Sequence, residues 1–189
     1  MLYCTATRSR LISWAVEMKR SSLYIPYRRM TERLGPMVRE RILHITCTRN
    51  LRSIISDGRV SGNANGSLPS SFGSSRNGFF RRRNAISVFD YRGLSDEAFY
   101  DAWCKCGPLT ALPKCGYKIA ALFLAENVYS QLISWQLWHK EQAYEQMVVP
   151  QVEFGYPAPL PLTAIEEILE VRTRYTSSAL ERILAALRK

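Results

Sequence analysis

An α+β fold class is what this sequence predicts, and three observations carry that expectation. Short β-prone runs recur at 41–47, 85–91 and 119–124. They do not alternate regularly with long helices, which argues against a doubly wound parallel sheet. The 189 residues are 47% hydrophobic and 22% charged, the composition of a chain that buries a core rather than a disordered one.

Residues 1–36 read as a basic helical extension. Leu11, Ile12, Trp14, Ala15 and Met18 recur at near-helical spacing, Arg28, Arg29 and Arg33 follow, and Gly35-Pro36 marks a break. The domain proper is set at 37–189. Ile42, Leu43, Ile45 and Thr46 form its first strand. Leu51, Ile54 and Ile55 then share one helical face, with Thr48 as the expected N-cap and Gly58 as the left-handed stop. The Gly- and Ser-rich stretch 61–78 is a loop leading into Phe79-Phe80-Arg81-Arg82-Arg83.

Ala85 to Tyr91 alternates as a strand, 95–106 is helical with Phe99, Ala102 and Trp103 on one side, and Ile119 to Leu124 is an apolar strand. A helix is expected over 128–139, and a β-like segment over 144–156, interrupted by Pro150. Pro157, Pro159 and Pro161 force a turn. After it, Thr163 would cap a helix carrying Ile165, Ile168 and Leu169, and a last amphipathic helix is expected over 176–188.

The chain lacks a dinucleotide fingerprint, a phosphate-loop Gly-Lys-Ser/Thr, a His-Glu-x-x-His helix and a nucleophile elbow. With two histidines in the chain, His44 stands out: it lies in a strand just before a turn and is followed by Thr46. The formal charge of +10, from 26 Lys and Arg against 16 Asp and Glu, favours polyanionic partners. Phe79, Phe80, Arg81, Arg82 and Arg83 combine rings that can stack on bases with cations that can pair with phosphates. The competing reading is a solvated basic loop anchored in the core by one Phe. Five cysteines without an export signal predict reduced thiols, and Cys104, Cys106 and Cys115 do not complete a zinc-ligand pattern. No metal is expected. With no apolar run of about 18 residues, a cytoplasmic protein without a membrane partner is the expectation.

The segment His44-Ile-Thr-Cys-Thr-Arg-Asn50-Leu-Arg-Ser-Ile54-Ile-Ser-Asp-Gly58 resembles the opening motif of the DarT-like NAD-dependent ADP-ribosyltransferases. The resemblance implies an ADP-ribosyltransferase-like domain with a central split, mixed β-sheet flanked by short helices. It further implies NAD as co-substrate, held by His44, Thr46 and Asn50, with Ser87, Phe89 and Tyr91 supplied by the second core strand. Arg52, more than Arg49, would be the arginine used in the helix. The acceptor would be nucleic acid, single-stranded DNA foremost, and the setting that of a toxin-like or phage-related effector, with an antitoxin or other protein partner.

Cleaving a glycosidic bond builds oxocarbenium character that a carboxylate stabilises. Two glutamates compete for that role. Glu153 opens a late strand followed by a proline turn and an Ile-rich close, and Glu145 also precedes an apolar strand; Glu153 is favoured for its spacing to Ile165. The rival readings are a non-catalytic basic nucleic-acid-binding module and a protein-binding inhibitor or effector.

Overall fold

The structure, a computed structural model, describes residues 18–68 and 77–174. The expected helices around 11–18 and 176–188 therefore lie, almost wholly in the first case, outside the described residues.

Six strands form one mixed sheet: β1 (Lys19–Tyr24), β2 (Ile42–Cys47), β4 (Ala85–Asp90), β5 (Lys118–Leu124), β6 (Glu153–Pro157) and β8 (Ile165–Arg172), in the order β1-β8-β5-β2-β4-β6. Only β1 and β8 run parallel; the other neighbours are antiparallel. Two short strands, β3 (Arg59–Val60) and β7 (Leu160–Pro161), pair separately. The α+β expectation is met, with a central mixed sheet between short helices.

Strand β5 explains why the sheet is two-sided. Its alternate residues Ile119, Ala121 and Phe123 join one core, and Ala120, Leu122 and Leu124 join another. A strand covered on both faces reads as a continuous apolar run, because successive side chains point to opposite sides. The first core is closed by α1 (Met30–Val38), α4 (Asp96–Cys106) and α5 (Pro108–Ala111), with Leu34 and Trp103 fully buried. The second is closed by α2 (Leu51–Asp57) through Leu51 and Ile54, and by Val60 and Leu160. A third, smaller cluster packs Phe79 and Phe80 of α3 (Phe79–Arg82) against Ala143, Trp135 and Trp138, beside α6 (Gln136–Lys140).

Several local signals act as expected. Gly58 adopts φ 67° and ends α2. The Ser95 hydroxyl accepts from Ala98 N at 3.2 Å and caps α4. Thr48 caps nothing: it opens a 3-10 turn, and no side chain caps either that turn or α2.

Larger expectations are overturned as well. The segment 19–36 belongs to the domain, since β1 pairs with β8 and α1 buries Met30, Leu34 and Val38. The α1 helix runs through Gly35-Pro36, losing one backbone bond near its end while that apolar face stays packed. Residues 165–172 are strand rather than helix. A bulge where Leu124 faces Ile165 and Phe123 faces Glu167 puts Ile165 and Ile168 into the same core, which imitates helical i, i+3 spacing. Between 126 and 140 the expected long helix is a 3-10 turn, a bridge from Ile133 to Gly155, and the five residues of α6.

Of the expected 144–156 strand, only β6 is regular. Cys47 and Cys115 form a disulfide, contrary to the expectation of reduced thiols; the two ends come together because β2 and the turn before β5 lie side by side. Among the described residues, no helix is long and apolar enough to cross a membrane.

Candidate functional site

The site forms where the sheet opens. Strands β2 and β4 are in register only at Ile42↔Asp90 and Leu43↔Phe89, although β2 continues to Cys47 and β4 begins at Ala85. Beyond that point the strands part, and the backbone carbonyls facing the gap need other partners. His44 supplies one: its Nδ1 lies 2.9 Å from the Ser87 carbonyl. A carbonyl only accepts, so Nδ1 carries the proton and the Nε2 of the neutral ring keeps an acceptor lone pair. Burial pushes the His44 pKa below 6.5, against the opposing pull of the Ser87 carbonyl, so the neutral ring is the form that sits here.

Across the gap, Ser87 and Glu153 meet on one face as diagonal neighbours in the β4–β6 pair, where Ser87 faces Gly155 and Phe89 faces Glu153. The Ser87 hydroxyl donates to Glu153 Oε1 at 2.7 Å, and the Val149 amide donates to Oε2 at 2.9 Å. Both carboxylate oxygens are thus held before any ligand arrives. Burial raises the Glu153 pKa above the ordinary 4.5, and the two hydrogen bonds oppose that rise. Gly155 is required beside it, because a Cβ there would stand 2.3 Å from Cδ1 of Phe80.

On the other lip, Asn50 Nδ2 donates to Thr46 Oγ1 at 2.9 Å, tying the turn after β2 to the strand. These groups line one cleft of about 730 Å³, which also takes in Phe89, Arg59, Arg81 and Lys114. That volume is ample for a nucleotide-sized ligand.

The structure therefore brings together His44, Thr46, Asn50, Ser87, Phe89 and Glu153 from the sequence expectation. Arg81 of the expected basic run also lines the cleft, and the other expected residues do not. Tyr91 is fully buried in the first core beneath α4, edge-on to Phe99 at 5.6 Å with its hydroxyl 3.9 Å from Cys106 Sγ. Arg52 points outward from α2 and lines nothing in the cleft. Glu145 is an exposed side chain outside the cleft, bonded to its neighbour Gln146 at 3.0 Å.

Nor do Phe79 and Phe80 offer rings for stacking. Both are 0% exposed in the third core cluster, edge-on to each other. Arg83 is equally committed: its guanidinium lies 3.6 Å over the Phe79 ring, pairs with Glu141 and bonds Gln146. Arg82 is exposed, and Arg81 turns toward the cleft, donating to the Asn63 carbonyl at 2.7 Å. Arg59, Lys114 and the Val149 amide were not singled out by the sequence. Arg59 directly follows the Gly58 stop, a usable signal, whereas nothing local marks Val149 as a carboxylate ligand. Comparison with known protein families, with curated proteins and with solved structures found no match.

Proposed function

We propose that this chain transfers ADP-ribose from NAD to a macromolecular acceptor, with single-stranded nucleic acid as the acceptor class. The observation that carries the reading is the Glu153 carboxylate, fixed by Ser87 and Val149 in a cleft that His44 holds open.

In this reaction the bond between ribose C1′ and the nicotinamide nitrogen breaks, and its electron pair goes to the nicotinamide. Positive character grows on the ribose, and a preoriented carboxylate lowers the energy of that charge. The acceptor's nucleophilic atom then bonds to C1′ and gives up its proton. Glu153 is suited to both tasks, since burial raises its basicity while its two donors keep it aimed. The Nε2 of His44 can accept from a ribose hydroxyl, with Thr46 and Asn50 on the same lip. Phe89 offers an apolar wall for the nicotinamide ring, and Arg59 and Arg81 face the cleft where a pyrophosphate needs countercharge.

The test is nicotinamide release from NAD by the purified protein, with and without single-stranded DNA. Release stimulated by DNA, and reduced about 100- to 1000-fold in Glu153→Gln, is the expected result. Undiminished release in Glu153→Gln, or no release with any nucleic acid or cell extract, would remove the enzyme and leave a binding module.

A further inference from the structure

The burial of Phe79 and Phe80 leaves the acceptor without the aromatic platform that the sequence offered, yet other rings near the cleft remain uncovered. Tyr144 is 56% exposed and Met147 60% exposed, three residues apart in one loop, and Met147 lines the cleft that holds Glu153. Neither side chain is exposed through slackness of its loop. Gln146 N donates to the Ala143 carbonyl at 2.9 Å, Met147 N to Asn77 at 2.9 Å, and Phe79 N to Met147 at 3.0 Å. The Trp138 indole donates to the Gln146 carbonyl at 2.9 Å, and the Asn77 amide reaches the Glu145 carbonyl. The loop's inner side is already packed through Ala143 and Val148 against Phe79 and Trp138. Its outer side therefore presents an aromatic and a thioether in fixed positions.

The Tyr144 ring stands nearly perpendicular to Trp138 at 5.2 Å and to His139 at 5.9 Å, and the residue stays exposed beyond those contacts. Arg83 donates to the Gln146 side chain of this loop at 3.2 Å, which sets the end of α3 against it. Arg82 is exposed and pairs with no acid among the described residues. Glu145, next to Tyr144, has its carboxyl held low first by Gln146 and further by the Arg82 and Arg83 charges, so these arginines are within electrostatic reach of the loop. The cleft it adjoins is lined by Arg59, Arg81, Lys105 and Lys114 against Asp57 and Glu153.

We propose that the 143–147 loop is the acceptor platform: a base of a single-stranded nucleic acid stacks on Tyr144, Met147 packs along the same strand at the cleft mouth, and Arg82 takes a backbone phosphate. A flat ring near the exposed Arg82, on a chain of formal charge +10, complements a polyanion with exposed π-faces. A duplex hides those faces within its stack, so a single strand fits and a double strand does not. The assignment rests on the transfer reading for its direction, since it delivers the strand to the Glu153 end of the cleft.

Binding is nonetheless measured without NAD, by fluorescence anisotropy of a labelled single-stranded DNA and of the corresponding duplex. Tyr144→Ala should weaken single-strand binding by about 10-fold or more, the usual range for loss of one stacked base, while Tyr144→Phe retains it. Arg82→Ala should lower the salt dependence by about one phosphate contact. Tyr100→Ala removes a tyrosine of similar exposure (62%) on α4, away from the cleft, and should bind as the unsubstituted protein does. Equal affinity in Tyr144→Ala, equal losses in Tyr144→Ala and Tyr100→Ala, preference for duplex, or no single-strand binding at all would each overturn the platform. Tyr144-dependent binding without nicotinamide release would keep the platform and reject the transfer chemistry.

Discussion

Along one edge, β2 pairs with β5 from Leu43 to Cys47, five residues in unbroken register. Along the other it meets β4 at Ile42 and Leu43 and then parts from it. On the β5 side the register is continuous, and the β5 partners Ile119 to Phe123 are all apolar. On the β4 side the backbone ladder stops, and imidazole, hydroxyl and carboxylate take over the hydrogen bonding. One strand thus serves as foundation on its first edge and as the lip of a cleft on its second. Stability and chemistry are assigned to opposite edges, so substitutions on each should have separable consequences.

The largest expected effect is on the foundation. Phe123→Ala empties a fully buried position, where Arg41 also stacks at 3.5 Å, and should cost about 3–5 kcal/mol in denaturant unfolding. A loss below about 1 kcal/mol would mean that the β5 edge is not where the stability lies.

The next effect lies on the cleft edge and is read first in activity rather than in stability. Ser87→Ala removes one of two donors to Glu153, so nicotinamide release should drop about 10-fold, the scale of a lost hydrogen bond to a charged group. The same change frees the carboxyl to rise further. Release depends on the carboxylate and therefore fades as pH falls through the Glu153 pKa, and in Ser87→Ala that acid limb should move to higher pH. An unmoved limb would detach Ser87 from Glu153. Stability carries the opposite sign: a raised carboxyl pKa costs stability as pH climbs from 4.5 to the folded value, so Glu153→Gln should melt no lower than the unsubstituted protein at neutral pH.

The smallest effect concerns His44. Its folded pKa is depressed, so the stability it contributes is complete above 6.5 and is lost as pH falls from there through the lower folded value. Melting temperature followed across that window should decline, and His44→Gln should flatten the decline. The same slope in both proteins would assign it to other groups.

What the sequence disclosed, and what it withheld, follows the same division. Strand β2, the α2 helix with its Gly58 stop and the α4 helix with its Ser95 cap are local features, written in periodicity and in single residue types. Strand β8 was misread because a bulge, visible only against β5, turns a period of two into a spacing of three. Strand β1 was missed because its buried content is slight, and its place depends on β8, about 150 residues away in the chain. In the site, His44, Ser87 and Glu153 could be nominated singly, but not the bonds that join them. Phe79 to Arg83 misled for a similar reason: Arg83 finds Glu141 across 58 residues, and nothing in five consecutive letters shows that both rings face inward.

The disulfide between Cys47 and Cys115 gives the chain the topology of a ring with two tails, since 68 positions separate the bonded residues. His44 lies in the first tail, Ser87 within the ring and Glu153 in the second tail. The three groups of the cleft therefore come from three topologically distinct parts. A single cut in the backbone anywhere inside the ring would still leave all three covalently joined, whereas a cut between His44 and Cys47, or between Cys115 and Glu153, would release one of them.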